Sequence, residues 1–186
     1  NNAELLRLSA SSAGNDHRLG ANEAPPAIIS AFLGEQLESI VKQIIEKGEA
    51  TESPKGKTYV SGASTLPTFT MDATDRNRTS PFAFTGNKFE FRMVGSTQSI
   101  AFPMMVLNTI VADQLKKMTD ELEGAEDFET ACKALIRKTL TEHQKIIFNG
   151  NGYSDEWVEE AAKRGLPNIK SMIEAAGALT TERTVK

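Results

Sequence analysis

The chain has 186 residues, of which 39% are hydrophobic and 25% charged, as is typical of a folded globular protein rather than a disordered one. A formal net charge of −4 argues against a general nucleic-acid-binding protein, because neutralising phosphates requires a basic surface. No apolar run approaches the about 20 residues of a membrane-spanning helix. We therefore expect neither nucleic acid nor a membrane as a partner. Cys132 is the single cysteine, which excludes an internal disulfide and fits a reducing compartment.

The first half of the sequence predicts mixed structure. Residues 3–14 resemble the middle of a helix or a strand. Apolar residues recur every three or four positions from Pro25 to Gly48, which predicts an amphipathic helix with proline in its first turn and glycine after its last. Turn-forming residues predict an irregular loop with one short strand over 51–70, and a second loop over 76–86.

Residues 88–94 predict a β-strand in which charged and apolar side chains alternate. Successive side chains of a strand point to opposite faces. One face then carries three charged residues, here named the charged row: Lys88, Glu90 and Arg92. The opposite face is apolar: Phe89, Phe91 and Met93. The charged row is either a solvated surface or a site in which the carboxylate binds a hard cation and the two cations bind phosphate oxygens.

The second half predicts mostly helix. Helical periodicity favours four helices, over residues 107–122, 128–147, 155–164 and 168–176. The sequence N-G-N-G (149–152) ends the second of them, and Ser154 is suited to be the N-cap of the third. The polar tail after residue 180 is expected to fray.

Two further motifs carry charged groups in loops. Arg76 and Arg78 lie in D-R-N-R-T-S (75–80), where guanidinium groups either bind phosphate oxygens or are solvated. Arg18 and Glu23 lie in N-D-H-R-L-G-A-N-E-A-P-P (15–26). This carboxylate is either a general base or ligand, or an acid that stabilises a helix start.

Taken in chain order, the three motifs resemble the C-terminal part of the glutamine synthetase catalytic domain. That family has an arginine shortly before E-A-P, an N-R-[ST] loop and an R-x-E-x-R strand. The matching stretches here are R-L-G-A-N-E-A-P (18–25), N-R-T-S (77–80) and K-F-E-F-R (88–92). Longer strings, such as F-N-G-N-G-Y-S-D-E-W (148–157), are similar to the type III branch. The similarity covers most of the chain.

The resemblance implies an α+β fold, in which the last strands of the catalytic antiparallel sheet or barrel precede a mostly helical region. It divides the chain into residues 1–104, from the catalytic domain, and residues 105–186, the helical type III C-terminal region. It also implies that the charged row faces the active-site funnel, while the apolar row packs against outer helices. Since the strands that bring other metal-binding glutamates are not found, the chain is expected to be a fragment that is inactive alone.

The implied activity is that of an ATP-dependent glutamate–ammonia ligase, which forms glutamine through γ-glutamyl phosphate in nitrogen assimilation. The implied ligands are glutamate, ammonium, ATP and Mg2+ or Mn2+. The full-length enzyme is expected in the cytoplasm as a homo-oligomer, a double-ring dodecamer, with active sites between neighbouring subunits.

Roles in the two loops follow from the same resemblance. Arg18 would hold the glutamate substrate. Glu23 would belong to the flap that closes the site, would help to form the ammonium pocket and would take up a proton. Arg78 would contact the transferring phosphate.

On the strand, Glu90 would bind the metal that bridges the nucleotide phosphates, and Arg92 would stabilise the glutamate carboxylate and the phosphoryl group. Lys88 stands where many relatives have arginine and would contact nucleotide phosphate. Ala83 departs from the family, because many relatives have an arginine five residues after the N-R-[ST] arginine.

Two alternatives remain open. The chain could be a non-catalytic module for oligomer assembly, with the charged row as a polar face. It could instead belong to a relative that joins glutamate to another amine, in which the pocket around Glu23 would differ.

Overall fold

The computed structural model describes residues 1–21, 24–53, 58–59, 69–70 and 79–185. Eight α-helices lie in these residues: α1 (Ala3–Ser9), α2 (Ala13–Asp16), α3 (Gly34–Lys47), α4 (Ala101–Leu122), α5 (Phe128–His143), α6 (Asp155–Lys163), α7 (Met172–Ala176) and α8 (Glu182–Val185). Two short 3-10 helices follow α5 and α7, at Gln144–Ile146 and Gly177–Thr180. No helix of the described residues is long and apolar enough to cross a membrane.

The strands are short and form two small sheets: β1 (Ala31–Phe32), β2 (Thr58–Tyr59), β3 (Phe69–Thr70), β4 (Phe82–Phe84) and β5 (Phe89–Phe91). One sheet has the order β1-β4-β5, and the other pairs β2 with β3 antiparallel. In the first sheet β4 and β5 are antiparallel, whereas β1 joins β4 in parallel. The described chain is therefore mostly helical with a small mixed sheet, and the expected α+β class is confirmed.

The helix predicted from Pro25 is wrong over its first nine residues, because α3 begins only at Gly34. Residues 24–30 are all buried and lie outside any helix, with an isolated bridge between Ile28 and Asn168. A short apolar run that is buried on every side shows no distinguishing period. Periodicity alone therefore could not separate it from a buried turn of helix. Gly34 has a φ of +80°, which a right-handed helix running from Pro25 could not contain.

The loop predicted over 76–86 contains β4 in its described part. The F-A-F stretch is held on both sides, by β1 in parallel and by β5 antiparallel. Ala83, at its centre, is fully buried. Tertiary pairing thus overrides the local preference of the adjoining proline and glycine for a loop.

The apolar row of β5 is only partly buried, which corrects the expected packing. Met93 is fully buried in a cluster with Ala10 and Ile29, and Phe91 packs against that cluster. Phe89 is 51% exposed and lies against Phe84, with the ring centroids 5.3 Å apart. The row therefore enters the core at its C-terminal end and reaches solvent at its N-terminal end.

The C-terminal helices follow the predictions with three changes. Helix α4 begins at Ala101, six residues before the predicted start at residue 107. Ser154 caps α6 by accepting a hydrogen bond from the Trp157 amide at 3.2 Å, as predicted. The last predicted helix begins later than expected, at Met172, with Ser171 as its N-cap. The tail that was expected to fray instead contains α8. The predicted division at 104/105 falls within α4 and stays a prediction.

A buried arginine joins the two ends of the chain. Arg7, in α1, is fully buried and donates to the Ile169 carbonyl at 2.7 Å and the Lys170 carbonyl at 3.2 Å. It also forms an ion pair with Asp16 at 2.7 Å, and Asp16 accepts from the Met172 amide. A buried charge is tolerated only when its donors are satisfied, so this network fixes α1 and α2 against the start of α7.

Candidate functional site

The charged row is assembled on β5 with its three heads in contact. Glu90 lies at the centre of the strand, and its Oε2 accepts from Arg92 Nη2 at 3.1 Å and from Nε at 3.2 Å. Its other oxygen, Oε1, lies 3.8 Å from Lys88 Nζ. The side chains of Lys88, Glu90 and Arg92 are 64%, 40% and 19% exposed. The row therefore runs from solvent at Lys88 into the protein at Arg92.

The neighbouring strand places a small side chain beside the carboxylate. Ala83 of β4 pairs directly with Glu90, so both side chains lie on the same face of the sheet. Ala83 carries only a methyl group there and is fully buried. Ala83 therefore adds no charged group beside Glu90.

Arg18 is fixed to the end of the same strand. Its Nη2 donates to the Met93 carbonyl at 2.8 Å, and its Nε donates to Asn15 Oδ1 at 2.8 Å. Asn15 is buried, and its Nδ2 donates to the Met93 carbonyl at 2.9 Å and to the Ala10 carbonyl at 2.5 Å. The Met93 carbonyl thus accepts from both side chains.

This arrangement brings Arg18 to the residue next to Arg92. Two predicted cations, 74 positions apart in the sequence, are thus brought to the same end of one strand. Within the described residues Nη1 of Arg18 makes no hydrogen bond, so that nitrogen can still donate to a ligand. The geometry suits an anionic ligand such as a carboxylate, which guanidinium groups bind through paired N–H donors.

Glu23 and Arg78 lie outside the described residues, and so does Arg76. The residues that follow them along the chain are described. Pro25 and Pro26, after Glu23, are buried, and so are Thr79 and Ser80, after Arg78. Each of these two predicted loops is therefore anchored in the interior at its C-terminal end.

The described residues do not form a metal site by themselves. Among residues 1–21, 24–53 and 79–185, no group of three or more His, Cys, Asp or Glu side chains is placed to hold a metal ion. Mg2+ in proteins binds to one or two carboxylates together with substrate phosphates and water. Glu90 supplies one carboxylate, and here that carboxylate is paired with Arg92 and Lys88.

Sequence reasoning missed two groups that support the site. Asn15 was overlooked because its partner carbonyls lie 5 and 78 residues away along the chain. Gly152 was interpreted only as part of a helix stop, although the N-G-N-G sequence contained a signal of close backbone approach. The structure places Gly152 against Thr79 and Pro26.

Comparison with known proteins agrees with the motifs. Residues 131–186 match the family described as glutamine synthetase C-terminal domain. Over 187 aligned positions the chain is 47% identical to a type-3 glutamine synthetase of Dictyostelium discoideum, an alignment that covers 99% of this chain and 25% of that protein.

Two bacterial proteins give the same result. The chain is 50% identical over 175 residues to a glutamine synthetase of Butyrivibrio fibrisolvens, with 91% of this chain and 24% of that protein covered. It is 46% identical over 180 residues to a glutamine synthetase of Bacteroides fragilis, with 94% and 25% covered. The chain spans about a quarter of the length of the curated relatives it matches. The chain therefore belongs to the glutamine synthetase family and corresponds to its C-terminal region.

Proposed function

We propose that this chain forms part of the active site of a type III glutamine synthetase, an ATP-dependent glutamate–ammonia ligase that acts through γ-glutamyl phosphate. The observation that carries the proposal is the convergence of Arg18 with the charged row at one end of β5. Lys88 and Arg92 lie against one carboxylate, and Arg18 is held near the end of the same strand. Cations placed in this way suit a reaction whose substrates, glutamate and ATP, are both anions.

Arg18 binds the glutamate substrate in this proposal. Its Nε and Nη2 are held by Asn15 and the Met93 carbonyl, so the guanidinium plane is fixed before glutamate arrives. Nη1 then donates to a substrate carboxylate oxygen. Preorganised donors contribute most because they need no rearrangement during the reaction.

Arg92, Arg78 and Lys88 balance the charge of phosphoryl transfer. Transfer of the γ-phosphoryl group of ATP to the glutamate carboxylate spreads negative charge over equatorial oxygens, and enzymes stabilise this charge mainly by positioned cations. Arg92 stabilises the glutamate carboxylate and the phosphoryl group, Arg78 contacts the transferring phosphate, and Lys88 contacts nucleotide phosphate. Arg92 is more buried than Lys88, so solvent screens its charge less.

Glu90 is proposed as one ligand of a Mg2+ or Mn2+ ion that neutralises nucleotide phosphates when it is bound. Because the described residues provide one carboxylate and no cluster, the other ligands must come from parts of the subunit that the structure does not describe. In the present geometry Arg92 and Lys88 hold the carboxylate in position. Glu23 is proposed to close the ammonium pocket and to take up a proton from the attacking nitrogen.

The remainder of the active site is proposed to lie outside these 186 residues, so the chain alone is expected to be inactive. The full-length subunit is proposed to work in the cytoplasm within a homo-oligomeric double ring. The unpaired thiol of Cys132 is compatible with a reducing compartment.

The test is an assay of glutamine formation by a full-length subunit that contains these residues, with glutamate, ammonium, ATP and Mg2+. Arg92→Ala removes the better buried cation and should lower kcat by about 100-fold or more. Lys116→Ala is the matched control, since this cation is exposed and forms an ion pair with Asp120 on α4. The control should leave kcat unchanged.

Two results would contradict the ligase proposal. One is a wild-type subunit that assembles but forms no glutamine. The other is an Arg92→Ala enzyme that turns over as fast as the Lys116→Ala enzyme. Either would return the charged row to a solvated strand face.

An assembly role is the second candidate, because α4 exposes an apolar surface. Met104, Val111 and Leu115 are each more than half exposed. Exposed apolar patches of this kind commonly mark a protein–protein contact. This role is compatible with catalysis in the same chain, because the apolar surface lies on α4 and the charged row lies on β5.

A further inference from the structure

The loop after α5 reaches across from the helical half of the chain to the segments of the candidate site. We name residues Ile147–Tyr153 the brace loop. Ile147 forms a parallel bridge with Ala31, and the Phe148 amide donates to the Ala31 carbonyl at 3.0 Å. The brace loop is thus joined to β1, in the segment that leads away from the E-A-P-P motif.

Asn149 attaches the same loop to the start of α3. Its Oδ1 accepts from the Leu33 amide at 2.9 Å and from the Gly34 amide at 3.0 Å. Its Nδ2 donates to Glu38 at 2.6 Å. Leu33, the residue before α3, has no side-chain oxygen to cap the helix, so Asn149 satisfies these amides from more than a hundred residues away.

Gly152 packs closely against the backbone of Thr79 and the ring of Pro26. It is buried, and a Cβ atom added to it would lie 2.6 Å from the Thr79 carbonyl oxygen and 3.1 Å from Thr79 Cβ. The same atom would lie 3.4 Å from Pro26 Cδ. Only glycine allows the backbone of the brace loop to pass between these two segments.

The far side of the brace loop is rigidly held. The Phe148 ring stacks on Trp157 of α6, with centroids 3.7 Å apart and an interplanar angle of 10°. The Arg164 guanidinium lies over the Trp157 ring, 5.5 Å from its centroid, and donates to the Ile147 carbonyl at 3.0 Å. Displacement at Gly152 would therefore be transmitted to Thr79 and Pro26 rather than absorbed by the loop.

We propose that the brace loop is a positioning element of the active site, in which Gly152 sets the backbone of Thr79, next to Arg78, and of Pro26, three residues after Glu23. The inference rests on the proposed ligase function for its kinetic consequences. It gives the helical half of the chain a role in catalysis, in addition to any role in assembly.

The direction of the effect follows from how Thr79 is held. Thr79 and Ser80 are buried, and two residues later the Phe82 amide donates to the Ser30 carbonyl at 3.2 Å within the sheet. Because β4 is fixed on this side, a push on the Thr79 carbonyl cannot be relieved within the sheet. A misplacement of about 1 Å in a catalytic group can cost about 100-fold in rate.

The test compares Gly152→Ala with Gly177→Ala in the full-length subunit. Gly177 is exposed, has no atom within 4 Å of an added Cβ and has a φ of −56°, so alanine fits there without strain. Rates are normalised to assembled enzyme. We expect Gly152→Ala to lower kcat by about tenfold or more with little change in the KM for glutamate, since Arg18 is held by α2 and β5. Gly177→Ala should match the wild type.

If Gly152→Ala does not assemble, Asn149→Ala tests the same proposal, because it removes hydrogen bonds without adding atoms. It should also lower kcat per assembled enzyme. If either variant assembles and only its melting temperature falls, with kcat unchanged, the loop is merely structural and the proposal is overturned.

Amide hydrogen exchange separates this inference from the ligase proposal. Gly152→Ala should speed exchange over residues 24–33 and 79–84 and leave α7 unchanged, whatever reaction the subunit catalyses. Unchanged exchange over both segments would overturn the brace even if glutamine is formed. Faster exchange in a subunit that forms no glutamine would retain the brace and reject the ligase.

Discussion

Asn15 shows how a single buried side-chain amide can orient a neighbouring arginine. Its carboxamide donates to the Ala10 and Met93 carbonyls and accepts from Arg18. Gly95 allows this arrangement, because a Cβ there would lie 3.1 Å from Asn15 Oδ1. Arg18 is therefore oriented by Asn15 rather than by a carboxylate, so its charge remains available to an anionic ligand.

Replacing Asn15 by alanine should separate glutamate binding from ATP binding. Loss of the amide leaves two buried carbonyls with fewer donors, which should lower the free energy of unfolding of the 186-residue chain by about 1–3 kcal/mol in urea denaturation. In the full-length enzyme the KM for glutamate should rise about tenfold, because Arg18 loses its orientation. The KM for ATP should change little.

Asn15→Asp is the conservative control for this prediction. A carboxylate at this position still accepts from Arg18 Nε but no longer donates to the carbonyls. It should also raise the KM for glutamate, because a carboxylate beside Arg18 forms an ion pair with it and competes with the substrate carboxylate. Equal increases in the two KM values for Asn15→Ala would show a general loss of structure instead of a role in orienting Arg18.

At the scale of a single element, the stability of α5 depends on the ionisation of its N-cap residue, Asp127. Asp127 accepts from the Thr130 hydroxyl at 2.6 Å and from the Thr130 amide at 3.2 Å. The hydroxyl first, and then the amide, hold the pKa of Asp127 below its ordinary value of 3.8. The negative charge also interacts favourably with the helix N-terminus.

Acid should therefore weaken α5 through Asp127. Since the pKa is lower in the folded state, the carboxylate stabilises the helix above its ordinary pKa, and this contribution is lost as the pH falls through the folded-state pKa. Asp127→Asn keeps a capping oxygen but does not titrate. Far-UV circular dichroism in urea should show a smaller acid-induced loss of stability for Asp127→Asn below about pH 4. The same pH dependence in both proteins would contradict this role. The difference between the two proteins should shrink in salt, because the Asp127 carboxylate is exposed.

At the scale of the whole molecule, α4 presents one apolar face that the described chain does not cover. Met104, Val111 and Leu115 recur at intervals of seven and four residues, which places them on one side of the helix. They are 52%, 53% and 58% exposed. The same helix also carries exposed ion pairs, such as Lys117 with Asp113, so its surface is polar elsewhere.

The 186-residue chain should therefore self-associate through α4. Val111→Lys together with Leu115→Glu should shift it toward the monomer in sedimentation velocity, because charged groups cannot be buried without partners. Helix content should be unchanged, since lysine and glutamate favour helix. The matched control is Lys116→Gln on another side of α4, which should leave association as it is. Association that survives the double substitution would place the contact elsewhere.

Local sequence patterns determined most of the C-terminal half. The helices α4, α5 and α6 follow from apolar spacing, and the Ser154 cap follows from residues within four positions of it, because helix formation and capping depend on neighbours three or four residues apart. The alternation of residues 88–93 likewise predicted β5 and the grouping of the charged row. The family followed from three motifs in order, whereas the roles of Arg18, Glu90 and Arg92 stay predictions.

Only the tertiary structure decided the state of residues 24–33 and the surroundings of the site. The non-helical course of this segment is set by contacts with β4 and with the brace loop, and the exposure of Phe89 depends on what the rest of the described chain leaves uncovered. Arg18 meets Met93 across 75 residues, and Asn149 meets Leu33 across 116. Hydrogen bonds over such separations form only when packing brings distant segments together, so no local pattern encodes them.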